Sequence, residues 1–340
     1  MTVNDPSIRV YTAQDADPHA LEDECIAVVG YGHLGRSFAL NLRDAGGSAP
    51  LIGNIADEYA EQAALDGFRV VPIAEAAATA DIVLLLVPDE IIPEVFESEI
   101  EPNLAPGSAI VFASGYSLAY GLVEPPTGID VLLLAPRLGG EQIRARFLSE
   151  EGFFAYLSVE QEASGRAWQR LLGIALAVGV LRAGALELDA RREADLDLFI
   201  EQTVGAAIGV AIMSAFTLGV DAGIPPEAMV IEMYMSGEME TVWQAFREKG
   251  FFRASDTHGP TALYGGFLRT MQLLMSDTGT KFKEILEEIQ NGQFARQFQA
   301  EREAGYPTLS QAQAMTAEES PMAVPIAQAE ARVRRLLSGT

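Results

Sequence analysis

The chain has 340 residues, more than one hydrophobic core usually supports, and 49% of them are hydrophobic, enough for two domains. Its formal net charge of -25 argues against nucleic acid as a partner, because phosphate binding needs a basic footprint, and it disfavours an anionic membrane surface on the same ground. The single Cys25 can form no internal disulfide, which suits a reducing, cytoplasmic setting.

Residues 1–24 are acidic, lack the basic and apolar regions of a signal peptide, and are expected to form an N-terminal extension. No apolar run reads as long enough to span a bilayer. Residues 25–29 are a short apolar strand, followed by Gly30-Tyr31-Gly32-His33-Leu34-Gly35 and then a helical pattern. Strand, glycine turn and helix arrive in the order that a dinucleotide site requires. Gly30 permits the tight turn, Gly32 lets the backbone approach a pyrophosphate, and Gly35 lets the helix pack closely on the strand. The helix N-terminus then offers its N–H groups to the phosphates.

A second strand, 49–52, ends at Gly53-Asn54-Ile55-Ala56-Asp57. An acid here accepts from a ribose diol and repels a 2′-phosphate, and no basic residue occurs between Arg43 and Arg69, so NADH is expected over NADPH. The alternative makes Asp57 the cap of a helix starting near Glu58. Residues 80–87, apolar apart from Asp81, are a buried strand ended by Pro88, and strands 108–113 and 129–135 follow. The expected fold is therefore α/β, a Rossmann-type doubly wound parallel sheet over residues 25–165, with ligands bound beyond the strand C-termini.

After about residue 165 the strand signals stop, and helical patterns cover 167–181, 193–219, 226–249, 262–275 and 280–305. They predict an all-helical substrate and metal domain over 166–325, with a C-terminal tail at 326–340. Glu193, Asp197 and Glu201, spaced four apart, share one helical stripe, which reads either as a hard-cation site or as a solvated acidic face. Glu232 lies in an apolar run, where an acid needs a partner, and Ser236-Gly237 interrupts the helix.

These residues resemble the ketol-acid reductoisomerase family, which converts acetohydroxy acids to dihydroxy acids in branched-chain amino-acid synthesis. The similarity runs from about Tyr11 to Gln311, and Asp197-Leu198-Phe199-Ile200-Glu201-Gln202 is its most specific echo. It implies that Asp197 and Glu201 hold Mg²⁺, that Glu193 is a further active-site acid, and that Val87, Pro88 and Ser114 belong to the cofactor site. It also implies a knotted helical domain and a homodimer or higher homo-oligomer with shared active sites. Several positions depart from the family pattern. The family's Phe-Ala-His-Gly-Phe is here Phe112-Ala113-Ser114-Gly115-Tyr116, and the lysine of its Ala-Pro-Lys-Gly is Arg137. Its second pair of acids becomes Glu232 and Ser236, which predicts at most one tight Mg²⁺, and its substrate-binding serine has no clear copy near His258. Glu238 could supply the missing acid only through a helix bulge.

These losses strike alkyl migration harder than hydride transfer. The resemblance therefore implies an NAD(P)H-dependent reductase of a small 2-keto or acetohydroxy acid, or a related imine, with Glu193, Arg137, His258 and Ser114 as catalytic candidates. The alternatives are a functional ketol-acid reductoisomerase and a non-catalytic NAD(P)-binding protein.

Overall fold

A computed structural model describes residues 8–254, 259–317 and 319–338, and the chain divides into two compact units, Met1–Leu196 and Asp197–Thr340. The first unit is built on nine strands: β1 (Val10–Tyr11), β2 (Ile26–Val29), β3 (Leu51–Gly53), β4 (Val70–Val71), β5 (Ile82–Leu85), β6 (Ala109–Phe112), β7 (Asp130–Pro136), β8 (Ala155–Gln161) and β9 (Ala185–Glu187). They form one sheet in the order β1-β9-β8-β7-β6-β5-β2-β3-β4. From β4 to β7 every pairing is parallel, and the order reverses between β2 and β5, the doubly wound arrangement with its ligand crevice at the switch point.

Alternate residues of the central strands point to opposite faces. Val28, Leu84, Val111 and Leu132 face the helices His33–Asp44 and Ala167–Val178, whereas Ala27, Val83, Ile110 and Val131 face the helix Ile73–Thr79. Both faces are covered, which is why these strands read as continuous apolar runs.

At the strand N-termini a buried charge network ties the sheet together. Arg170, 4% exposed, donates to both Glu24 carboxylate oxygens at 3.0 and 3.2 Å, to Asp130 Oδ2 at 3.0 Å and to the Gly107 carbonyl at 2.7 Å. Asp130, with no exposed surface, also accepts from the Ala163 and Ser164 N–H groups and the Ser164 hydroxyl. Burial pushes its carboxyl up, but the bonds from Ser164, Ala163 and Arg170 outweigh that and hold it below the ordinary carboxylate range.

The second unit is helical. It runs through a π turn at Glu201–Gly205, the helix Ala206–Asp221, Pro226–Val230, a π turn at Ile231–Met235, and Glu238–Lys249. The helices Pro260–Leu274, Thr278–Gln290, Gln293–Glu303, Pro307–Thr316 and Val324–Ser338 follow. Its small core joins Phe216, Val230, Ala329 and Val333.

Several expectations are corrected. The first unit extends past residue 165 to Leu196, because the helix Ala167–Val178 packs on the sheet and β9 pairs with β8. The N-terminal extension enters the sheet, with β1 antiparallel to β9. The expected tail contains most of the helix Val324–Ser338, whose Ala329 and Val333 are buried. The predicted helix 280–305 is broken at Gly292, φ +73°, whereas the interruption expected at Ser236-Gly237 is present, with Gly237 at φ +81°. One helical stretch, Ala190–Asp221, is long and apolar enough to cross a bilayer, since residues 203–220 carry no charge; little of it is buried.

Removing Arg170 leaves Asp130 without its cation and Glu24 with only the half-exposed Arg166, which bonds it at 2.6 Å. Arg170→Ala is expected to lower unfolding free energy by about 3 to 5 kcal/mol in urea titrations at pH 7. A carboxyl that is lower in the folded than in the unfolded chain stabilises above about pH 4, and that stabilisation disappears as pH falls through the folded value. The wild type should therefore lose stability below about pH 4, and Asp130→Asn should blunt that loss.

Candidate active site

Five loops meet at the C-terminal ends of the parallel strands. After β2, Gly30 adopts φ +92°, and a Cβ on it would lie 2.8 Å from the Leu86 carbonyl oxygen. A Cβ on Gly35 would lie 1.9 Å from the Gly30 carbonyl oxygen, so helix and strand touch there through backbone alone. At Gly32 a Cβ would meet nothing within 4 Å. The turn is thus closed where it packs and open at the helix N-terminus, as a pyrophosphate site requires.

Tyr31 and Leu34 face inward. The Tyr31 ring is 1% exposed and packs edge-on against Phe68, its hydroxyl donates to Asp66 at 2.9 Å, and Leu34 packs on the core. Arg36 also grips Asp66 through Nε at 2.7 Å and Nη2 at 3.1 Å, and holds that carboxyl below its ordinary range. Arg36 and Asp66, which pattern reading passed over, therefore brace the turn from below. His33 is exposed, with Nδ1 3.5 Å from the Glu141 carboxylate.

After β3, Asn54 ties two loops together, accepting from the Tyr31 N–H at 3.1 Å and donating to Asp57 Oδ1 at 2.7 Å. Asp57 Oδ1 also accepts from the Tyr59 and Ala60 N–H groups, so Asp57 caps the helix Glu58–Leu65. After β5, Val87 is half-buried against the core, and Pro88 is exposed.

The charged centre lies after β6 and β7. Glu193, fully buried, accepts from the Gly115 N–H at 2.7 Å and from Arg137 Nη2 at 2.6 Å. The Arg137 guanidinium also lies over the Tyr156 ring, its Cζ 5.0 Å from the centroid. Ser114, half-buried, accepts from the Tyr116 N–H at 3.2 Å. Of the four catalytic candidates the structure brings together Glu193, Arg137 and Ser114, and His258 lies outside the described residues.

Glu193 leaves the acidic stripe, since its carboxylate is committed to Arg137 and Gly115 within the first unit. Asp197 and Glu201 begin the second unit, and among the described residues no three His, Cys, Asp or Glu side chains converge closely enough to hold a metal ion. Two carboxylates one turn apart still suit a hard cation completed by water and substrate oxygens. Glu232 lies in the π turn Ile231–Met235, and Ser236 accepts from the Glu238 N–H at 3.2 Å, at the start of the next helix. Glu238 thus opens a new helix beyond Gly237, whose φ is +81°.

Comparison with known proteins follows the same division. The NADPH-binding domain of acetohydroxy acid isomeroreductase matches residues 20–184, and the C-terminal domain of ketol-acid reductoisomerase matches 191–338. Ketol-acid reductoisomerase (NADP(+)) of Methanopyrus kandleri is 37% identical over 299 residues, covering 87% of this chain and 90% of the relative. The structure of an NADH-preferring ketol-acid reductoisomerase from an uncultured archean superposes with a TM-score of 0.89 at 31% identity, covering 96% of this chain and 99% of the other. A semialdehyde dehydrogenase NAD-binding protein from Cupriavidus necator, at a TM-score of 0.60 and 20% identity over 79% of this chain and 99% of its own, shares the fold. With both domains matched in order, this chain belongs to the ketol-acid reductoisomerase family of NAD(P)-dependent oxidoreductases.

Proposed function

We propose that this family member uses NADH to reduce the carbonyl of a small 2-oxo or acetohydroxy acid, or a related imine, with little or no alkyl migration. The observation that carries the reading is the Arg137–Glu193 ion pair at the end of β7. A guanidinium there can bind and polarise an acid substrate, but it does not release a proton near neutral pH as a lysine can. The proton then comes from another group, with Ser114 and His258 the candidates.

The cofactor lies on the turn Gly30–Gly35, where the open space at Gly32 fits a pyrophosphate. Nicotinamide supplies the hydride, and the protein supplies orientation. Asp57 keeps Oδ1 for its cap, and Oδ2 is the oxygen proposed to accept from a ribose hydroxyl, which disfavours a 2′-phosphate. The NADH preference of the archaeal neighbour supports this choice. Asp197 and Glu201 would hold one Mg²⁺, which supplies polarisation of substrate oxygens.

A second reading, full ketol-acid reductoisomerase activity, is favoured by the 37% identity to a relative bearing that name. In either case the chain acts as a homo-oligomer. The second unit exposes Ile208, Val210, Met213, Trp243, Phe267 and Met271, an apolar surface beyond what a monomer presents to water.

Four measurements test these assignments. NADPH should bind at least about tenfold more weakly than NADH, and equal or tighter NADPH binding removes the role of Asp57. Gly32→Ala should fold like the wild type yet weaken NADH by about tenfold or more, since only the ligand side of the turn is filled. Calorimetry should find a single strong Mg²⁺ site that Asp197→Asn abolishes, and 2-acetolactate should give no dihydroxy acid; two strong sites, or that product, would establish the second reading.

A further inference from the structure

Tyr156 stands on β8 directly beside Ala135 of β7. Its ring lies against the Arg137 guanidinium, with Cζ 5.0 Å from the ring centre. On other sides, Arg137 Nη2 bonds Glu193 at 2.6 Å, and Nε reaches the Ala135 carbonyl oxygen at 3.4 Å. Glu193 is itself immobilised, fully buried and bonded to the Gly115 N–H. A ring, a carboxylate and a carbonyl therefore fix this one cation.

The chemistry of the pair is specific to arginine. A lysine ammonium is a rotating point charge, whereas a guanidinium is flat, stacks on an aromatic face and keeps a defined plane. A guanidinium with a fixed plane matches a carboxylate through two parallel N–H···O bonds. This one stands beyond the C-terminal end of a parallel strand, where open α/β sheets take their ligands.

We propose that Tyr156 is a positioning residue: together with Glu193 it sets the plane of the Arg137 guanidinium that receives the carboxylate of a 2-oxo acid. The inference rests on the reductase reading and deepens it by naming the substrate group and the residue that aims its receptor. Tyr156 acts through Arg137 and does not touch the substrate.

The test uses oxamate, an unreactive mimic of a 2-oxo acid, titrated calorimetrically into the NADH-loaded protein, together with pyruvate reduction kinetics. Tyr156→Leu should weaken oxamate and raise the pyruvate KM by about tenfold, with kcat within about twofold and NADH affinity unchanged. Tyr156→Phe, which keeps the ring, should restore wild-type values. In an Arg137→Lys background Tyr156→Leu should add little, because no flat cation remains to be aimed. Should Tyr156→Leu fail to fold, Tyr156→Met removes the ring with less loss of volume and reads the same effect.

Wild-type oxamate affinity in either ring-less variant overturns the proposal, as does failure of Tyr156→Phe to rescue or of wild type to bind oxamate. Oxamate binding that weakens on loss of the ring supports the positioning role even if no 2-oxo acid oxidises NADH, an outcome that removes only the reductase reading.

Discussion

The first unit depends on burying one guanidinium. Arg170 gathers Glu24 from just before β2, Asp130 from the start of β7 and the Gly107 carbonyl from just before β6, so three points along the strand N-termini are held by one side chain. Its own helix, Ala167–Val178, carries Leu171, Ile174 and Ala175 into the core, so the charge cluster and the apolar layer fix the same element. A buried ion pair of this kind contributes little net stability compared with apolar packing, but it tolerates no missing partner and so specifies one arrangement of the chain. With that edge pinned, the loops at the opposite edge can be shaped by binding.

Those loops use charge differently. At the strand N-termini Asp130 accepts from Arg170 and from two backbone N–H groups, and Glu24 from Arg170 and Arg166. At the C-termini Glu193 plays the same role for Arg137, but that guanidinium is 24% exposed and stands at the crevice. The contrast is one of enclosure: the Arg170 side chain is 5% exposed and that of Arg137 24%. Where the resemblance would place a lysine, this chain has a bulkier cation against an aromatic face, which keeps the charge at that position.

Much of this was legible in the sequence. The glycine turn, the strands β2, β5, β6 and β7 and the helical second half follow from periodicity and turn chemistry, and the motif at Asp197–Gln202 points to the family. The strands β1, β4 and β9 are two or three residues long, too short for any pattern to emerge. The helix break at Gly292 requires a left-handed backbone that a helical hydrophobic pattern does not announce, whereas Ser236-Gly237 showed as an interruption. Spacing along a helix says which side chains share a face, not what each one meets. Glu193 meets Gly115 and Arg137, 78 and 56 residues away, and no local signal encodes such partners. Tyr156 escaped for the same reason, since its significance comes only from the antiparallel pairing of β7 with β8.

The π turn at Glu201–Gly205 carries a different consequence, one for the history of the chain. A π turn closes one residue later than an α turn, so it amounts to a single residue inserted into an existing helix. Deleting one residue there would give an unbroken α-helix, but everything beyond would be rephased by about 100° around the axis. Asp197, one turn before, would then point about 100° away from its present direction relative to Phe216 and the small core it shares with Val230, Ala329 and Val333. The spare residue therefore sets the phase of Asp197 against the helix that follows, and single-residue gaps should be rare in this stretch of any descendant that keeps that phase.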